Sequence, residues 1–159
     1  MTSPIECIFK KFHAINDIKH IITYYLVQLN QLQHQELLKE IDKKENLLFY
    51  GRERIQEIES EIIEIQVNIH DLTNRCLHDI ERLIIEVQIV LDYYDLMDDK
   101  VEVDLLFNEN FTPLIQAISN LDCLFASKSE IIKELLFKIR LLGKTLQRIM
   151  HFEIQMEVK

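Results

Sequence analysis

Between Ile55 and Tyr94 the apolar residues recur in steps of three and four. Ile55, Ile58, Ile62, Ile65, Ile69, Leu72 and Cys76 carry this pattern for three heptads, the a/d seam of a coiled coil or a long bundle helix. Around Cys76 two four-residue steps meet, and the seam resumes as Ile80, Leu83, Val87, Val90 and Tyr94. An insertion of this kind is a stutter, which unwinds a supercoil locally without breaking the helix. The consequence is one continuous helix of about 40 residues, roughly 60 Å long at 1.5 Å per residue. A rod of that length forms no compact globule by itself, so the rest of the chain must pack along it.

What surrounds this stretch is equally poor in turns. The 159 residues hold two Gly, two Pro and no Trp, while 48% are apolar, mostly Ile and Leu. So few breakers favour a small number of long helices over a sheet. Gly51 and Gly143 stand alone, so no Gly-rich loop is available to cradle a phosphate or nucleotide. A net charge of −9 repels nucleic acid and anionic membrane, whose binding needs clustered Lys and Arg. No apolar run is long enough to span a bilayer, and no secretory leader is visible. The three cysteines, Cys7, Cys76 and Cys123, have no metal-site spacing, as expected of a cytoplasmic protein in a reducing compartment.

The first helix opens on a capping box, with Ser3 as N-cap, Pro4 at N1 and Glu6 at N3. One apolar face runs through Ile5, Ile8, Phe12, Ile15, Ile18, Ile22, Tyr25, Leu29 and Leu32, and Phe9, Ile21, Tyr24, Leu26 and Val27 widen it. Such a broad stripe predicts contact with more than one helix. After a polar patch at 28–35, helical spacing resumes at Leu37, Leu38, Ile41 and Leu48, with Glu40 and Lys44 as an i,i+4 pair. Gly51 enters the left-handed C′ conformation freely, so the first helix is expected to end or bend there. From 98 to 110 Asp, Asn and Glu accumulate, which reads as an acidic loop. Thr112 as N-cap and Pro113 at N1 then start a last helix, with a seam through Leu114, Ile118, Leu121, Phe125, Ile132, Leu135, Ile139, Leu142, Leu146, Ile149 and Phe152. Only Lys128, between Ser127 and Ser129, interrupts that register.

Candidate chemistry is sparse. Di-metal bundles use Glu-x-x-His pairs on facing helices, and Asp17-x-x-His20 is a single imperfect case. Glu53, Glu57, Glu61 and Glu64 fall opposite the Ile seam, as a solvated face does. No catalytic, metal or cofactor site is assigned, and no enzymatic activity is expected. The positive signal is the apolar surface itself, which three long helices cannot cover alone. Ile8, Phe12, Ile15, Ile22, Tyr25 and Leu29 are the expected anchors of a homodimer interface.

The run Thr-Pro-Leu-Ile-Gln-Ala-Ile-Ser-Asn-Leu at 112–121, continuing as Lys-Ser-Glu-Ile-Ile-Lys-Glu-Leu-Leu-Phe-Lys-Ile-Arg-Leu-Leu at 128–142, resembles the N-terminal dimerisation region of the antiparallel microtubule cross-linkers of the spindle midzone and cytokinesis. The resemblance implies a first helix, a long second helix, a short acidic loop and a long third helix, here about 4–50, 52–96, 98–110 and 112–156. It also implies a cytoskeletal, spindle location, cytoskeletal or motor-protein partners, and microtubule contact only through a domain outside this chain. The whole of 1–159 is thus expected to be a single domain: an all-α, elongated antiparallel bundle of three long helices with coiled-coil packing, dimeric, and structural in function. The alternative is a subunit of a hetero-oligomeric coiled-coil adaptor of kinetochore, tethering or coat type.

Overall fold

A computed structural model describes residues 3–121, 124 and 127–152, and every regular element among them is a helix. The order is α1 (Pro4–Glu45), α2 (Arg52–Tyr94), α3 (Val101–Ser119) and α4 (Glu130–Leu146). The expected all-α class holds, with four helices where three are expected. α1 starts as its capping box dictates: Ser3 Oγ accepts the Glu6 N–H at 3.4 Å and Pro4 occupies the first turn. α2 runs unbroken through the stutter, and Ile58, Ile62, Ile65, Ile69, Cys76, Ile80, Leu83, Val87, Val90 and Tyr94 are all buried.

α1 and α2 form an antiparallel hairpin, tied at successive levels by Lys11–Glu86 at 2.8 Å, Lys39–Glu61 at 2.6 Å and Lys43–Glu59 at 2.9 Å. The turn between them differs from expectation. α1 ends at Glu45, with Asn46 as C-cap, six residues before α2 begins. Asn46 Nδ2 donates to the Asp42 carbonyl, and Asp42 Oδ1 accepts from both Asn46 Nδ2 and the Tyr50 hydroxyl. Gly51 is the N-cap of α2 with φ −67°, an extended conformation open to any residue, and it does not take the left-handed role. The backbone and side-chain N–H groups of Asn46, both donating to the Asp42 carbonyl, do the capping expected of glycine.

The larger correction concerns 98–110. α3 begins at Val101 and runs through Thr112 and Pro113, so the acidic loop is mostly helix and Thr112–Pro113 starts nothing. Val103, Phe107, Phe111, Leu114 and Ile118 fall in four- and three-residue steps and are buried. The polar residues that look like loop fold back on their own helix: Asn108 donates to the Asp104 carbonyl, Asn110 to Leu106 and Thr112 to Asn108. Pro113 deprives the Glu109 carbonyl of its helical donor, and the neighbouring Asn110 carbonyl accepts the Lys19 ammonium of α1 at 2.8 Å. Lys19 is itself buried, and burial lowers its pKa.

The expected third helix, 112–156, is therefore divided. α3 stops at Ser119, and α4 starts after Ser129, its N-cap. Lys128 lies in the connection, so the interruption of register marks a chain break between helices and not a polar seam position. Leu142 and Leu146 continue the buried face of α4, Gly143 sits in its last turn, and 153–159 fall outside the described residues.

α3 runs beside α1 and in the same direction, since Phe107 meets Phe12 and Asn110 meets Lys19 further along. The rings of Phe107 and Phe111 stack at 5.0 Å, and Phe12 meets Phe107 edge-on at 5.6 Å. α4 runs beside α2, with Lys138 on Glu81 at 3.7 Å and Arg148 on Asp95 at 2.6 Å. The molecule is thus a four-helix body in which α3 and α4 form a second layer over one face of the α1–α2 hairpin. Beyond that layer the hairpin continues alone as a two-helix arm.

Phe107→Ala should cost about 3–5 kcal/mol, the range for truncating a buried Phe, in urea denaturation followed by circular dichroism. A cost near zero would mean that 98–110 is the loop its composition suggests. Tyr94 offers a second check. Burial, then its hydrogen bond to Asp104 at 2.6 Å, raises its pKa to about 12. The neutral hydroxyl therefore contributes stability that is full below pH 10 and is lost as pH rises through 12. The stability difference between the native chain and Tyr94→Phe should shrink over that window.

Candidate docking surface

The arm comprises about 33–45 of α1, 52–66 of α2 and the turn between them. Its internal seam is unusual in chemistry. Continuing the heptad steps of Tyr25, Leu29 and Leu32, the residues that α1 turns toward α2 are Glu36, Lys39 and Lys43. Lys39 and Lys43 pair with Glu61 and Glu59, and these partly exposed pairs hold the hairpin only weakly. The Glu36 carboxyl is raised in pKa by burial and by Glu40, against a lowering hydrogen bond with Gln66. On α2 the seam stays apolar, with Ile58, Ile62 and Ile65 buried. The arm therefore sets a polar strip of α1 on an apolar strip of α2.

The apolar residues of α1 lie elsewhere on the arm. Leu37 and Ile41 are 48% and 41% exposed. At the heptad spacing of the α1 seam they fall in line with Phe9 and Val27 on the outer side of the helix, whereas the face of Phe12, Lys19 and Leu26, which α3 covers in the body, continues as Gln33 and Glu40. On α2, Ile63 is 60% exposed and shares a groove of about 530 Å³ with Ile62, Leu47, Glu40, Lys43, Lys44 and Glu59. At the tip, Leu48 and Phe49 are 93% and 83% exposed. At the other end, where the second layer begins, a cleft of about 330 Å³ separates the arm from α4. Exposed apolar side chains grouped on one arm and its tip mark a candidate contact site.

The expected interface anchors lie elsewhere. Ile8, Phe12, Ile15, Ile22 and Leu29 are buried in the chain's own core, and Tyr25 is half-buried against it. They contact α2 and α3 of the same chain and are not free for another. The other edge of the broad α1 stripe is exposed: Phe9, Ile21, Tyr24 and Val27 face outward, while Leu26 is buried. Glu40 and Lys44, the expected i,i+4 pair, both line the groove beside Ile63, while the ion pairs across the hairpin are made by their neighbours Lys39 and Lys43. Glu53, Glu57 and Glu64 are exposed, as expected of a solvated face, while Glu61 is half-buried against Lys39.

Leu37, Ile41 and Leu48 are visible in the sequence as a resumed helical stripe. The overlooked signal was Glu36, Lys39 and Lys43 at the seam positions, which shows that the apolar stripe has rotated away from α2. Phe49 and Ile63 carried no such signal.

Among the described residues no group of three or more His, Cys, Asp or Glu side chains could hold a metal ion, and no helix is long and apolar enough to cross a membrane. Cys76 is buried on the α2 seam, and burial pushes its thiol pKa up; Cys123 falls outside the described residues. No protein-family model matches the sequence, and no curated protein or solved structure matches it.

The raised pKa of Glu36 means that the folded chain holds a proton there more tightly than the unfolded one. Its charged form thus opposes folding once pH rises through the folded-state pKa. Glu36→Gln should raise the thermal midpoint at pH 7 and leave it nearly unchanged at pH 3, where the native carboxyl is protonated in both states.

Proposed function

We propose that this chain is a structural pairing module: two copies join through their arms, and whatever each copy carries or recruits is held in duplicate. The observation behind it is the rotated stripe of the arm, apolar outward and polar inward, which leaves the hairpin short of cover along one face. Pairing converts a second engagement of any partner into an intramolecular event and so raises avidity without new contacts. In its finest form the module is the dimerising end of an antiparallel microtubule cross-linker of the spindle midzone. That form rests on the resemblance of 112–121 and 128–142, whose leading feature, a loop opening into a helix at Thr112, is replaced by continuous helix. The net charge of −9 would then leave tubulin's acidic surface to another domain.

The hetero-oligomeric adaptor reading has its own support. Phe9, Ile21, Tyr24 and Val27 stay exposed on the outer side of α1 in the body and would suit a helix of a different protein.

Light scattering at two concentrations tests the pairing. The native chain should show twice its 19.0 kDa, and Leu37→Glu with Ile41→Glu should return it to a monomer of unchanged helicity. A native mass of 19.0 kDa would remove the homodimer and move the weight to the adaptor.

A further inference from the structure

α1 carries a second seam, on the side away from α2. Phe9, Val27, Leu37 and Ile41 lie on it and are exposed. Between them the same four- and three-residue steps bring His13, His20 and His34, all exposed, and Asn16, Thr23 and Asn30, all partly buried. One further step at each end reaches Glu6 and Lys44, both exposed and both within the helix. The spacing is that of the seam facing α2, so the row keeps its side of α1 throughout. α3 covers the adjoining row of Phe12 and Lys19 and leaves this one open. Polar residues in a heptad seam weaken pairing but fix its register.

Reversed about position 25, the middle of α1, the row becomes its own complement. Glu6 then lies opposite Lys44, Phe9 opposite Ile41 and Thr23 opposite Val27. Asn16 comes opposite His34, and His20 opposite Asn30; only His13, against Leu37, lacks a matched layer. A neutral imidazole offers one donor and one acceptor, which suits an amide. Oδ1 of Asn16 and Oδ1 of Asn30 are buried without a donor among the described residues, so turning either amide to the seam costs that oxygen no hydrogen bond.

We infer, resting on the homodimer reading, that two copies pair through the outer sides of their α1 helices, antiparallel, with the two-fold axis at the level of Tyr25, so that the arm of each lies along the body of the other. Parallel pairing in register would set Glu6 on Glu6 and Lys44 on Lys44, like charges that oppose association. An antiparallel register shifted by one heptad sets Asn16 against Val27 or Ile41, an amide against a branched apolar side chain. The unshifted one matches charge with charge and polar with polar by means of the row itself, which favours a second copy over a different protein. The bodies also stay clear of each other. α3 contacts the N-terminal half of α1, through Phe12 and Lys19, and the two-fold axis places it beside the other copy's arm, where no second-layer helix stands.

Cross-linking on the flank of the seam tests the pairing without altering its layers. Lys10→Cys and Leu38→Cys, at exposed positions beside the seam, are placed in separate chains, each with Cys7→Ser and Cys123→Ser, and maleimide labelling confirms that each new thiol is accessible. The two are mixed, re-equilibrated and treated with a short bismaleimide. A covalent dimer should form in the mixture and little in Lys10→Cys alone, whose equivalent positions stand about 45 Å apart along the helices at 1.5 Å per residue. Light scattering then checks the register: Glu6→Lys should weaken the dimer roughly tenfold, and adding Lys44→Glu to the same chain should restore it. A covalent dimer from Lys10→Cys alone would make the helices parallel and overturn the inference, as would a weakening by Glu6→Lys that Lys44→Glu does not relieve. A mass of twice 19.0 kDa with no cross-link in the mixture would also overturn it, while the homodimer reading would survive through another surface. A mass of 19.0 kDa before treatment would overturn both.

Discussion

The architecture depends on a mismatch of length. α1 and α2, at 42 and 43 residues, each span about 65 Å, whereas α3 and α4 span less than about 30 Å. Two short helices cannot cover two long ones, because burial requires contact along the whole exposed strip. The result is a body with a closed core and an arm with one bare face.

Within the body, stability comes from apolar packing around α2, which is buried toward α1 on one side and α4 on another. The buried polar residues Lys19, Thr73, Asp79 and Thr145 each find a partner, whereas Asn16 Oδ1 and Asn30 Oδ1 are buried without one among the described residues. Thr73 donates to the Ile69 carbonyl of its own helix at 2.6 Å. Lys19 answers a carbonyl beside the Pro113 interruption and lies 6.0 Å from the Phe111 ring centroid. A buried ammonium with these partners does not add much stability compared with an apolar residue. The arm is held differently, by ion pairs across its seam and by Asp42, Asn46 and Tyr50 at the turn. Such an element keeps its shape yet gains strongly from a partner, a combination suited to reversible assembly.

The sequence by itself determined the helical character of the chain, the continuity of α2 through its stutter, the start of α1 at Ser3 and the apolar stripes. These depend on local hydrogen bonding and on a 3.6-residue period, and both are written in neighbouring residues. The period of α3 was equally present in Val103, Phe107 and Phe111. It was hidden by Asn and Asp residues that also favour loops, whose back-bonding to their own helix becomes visible only in place. The tertiary structure alone decided which stripe is core and which is surface. Ile8 and Phe12 looked like an interface because the helix that covers them lies some 90 residues away. Leu37 and Ile41 keep helical spacing and yet are exposed, because spacing alone does not say on which side a neighbouring helix lies. Burial is a property of what packs opposite, and that is set by the lengths and order of distant helices.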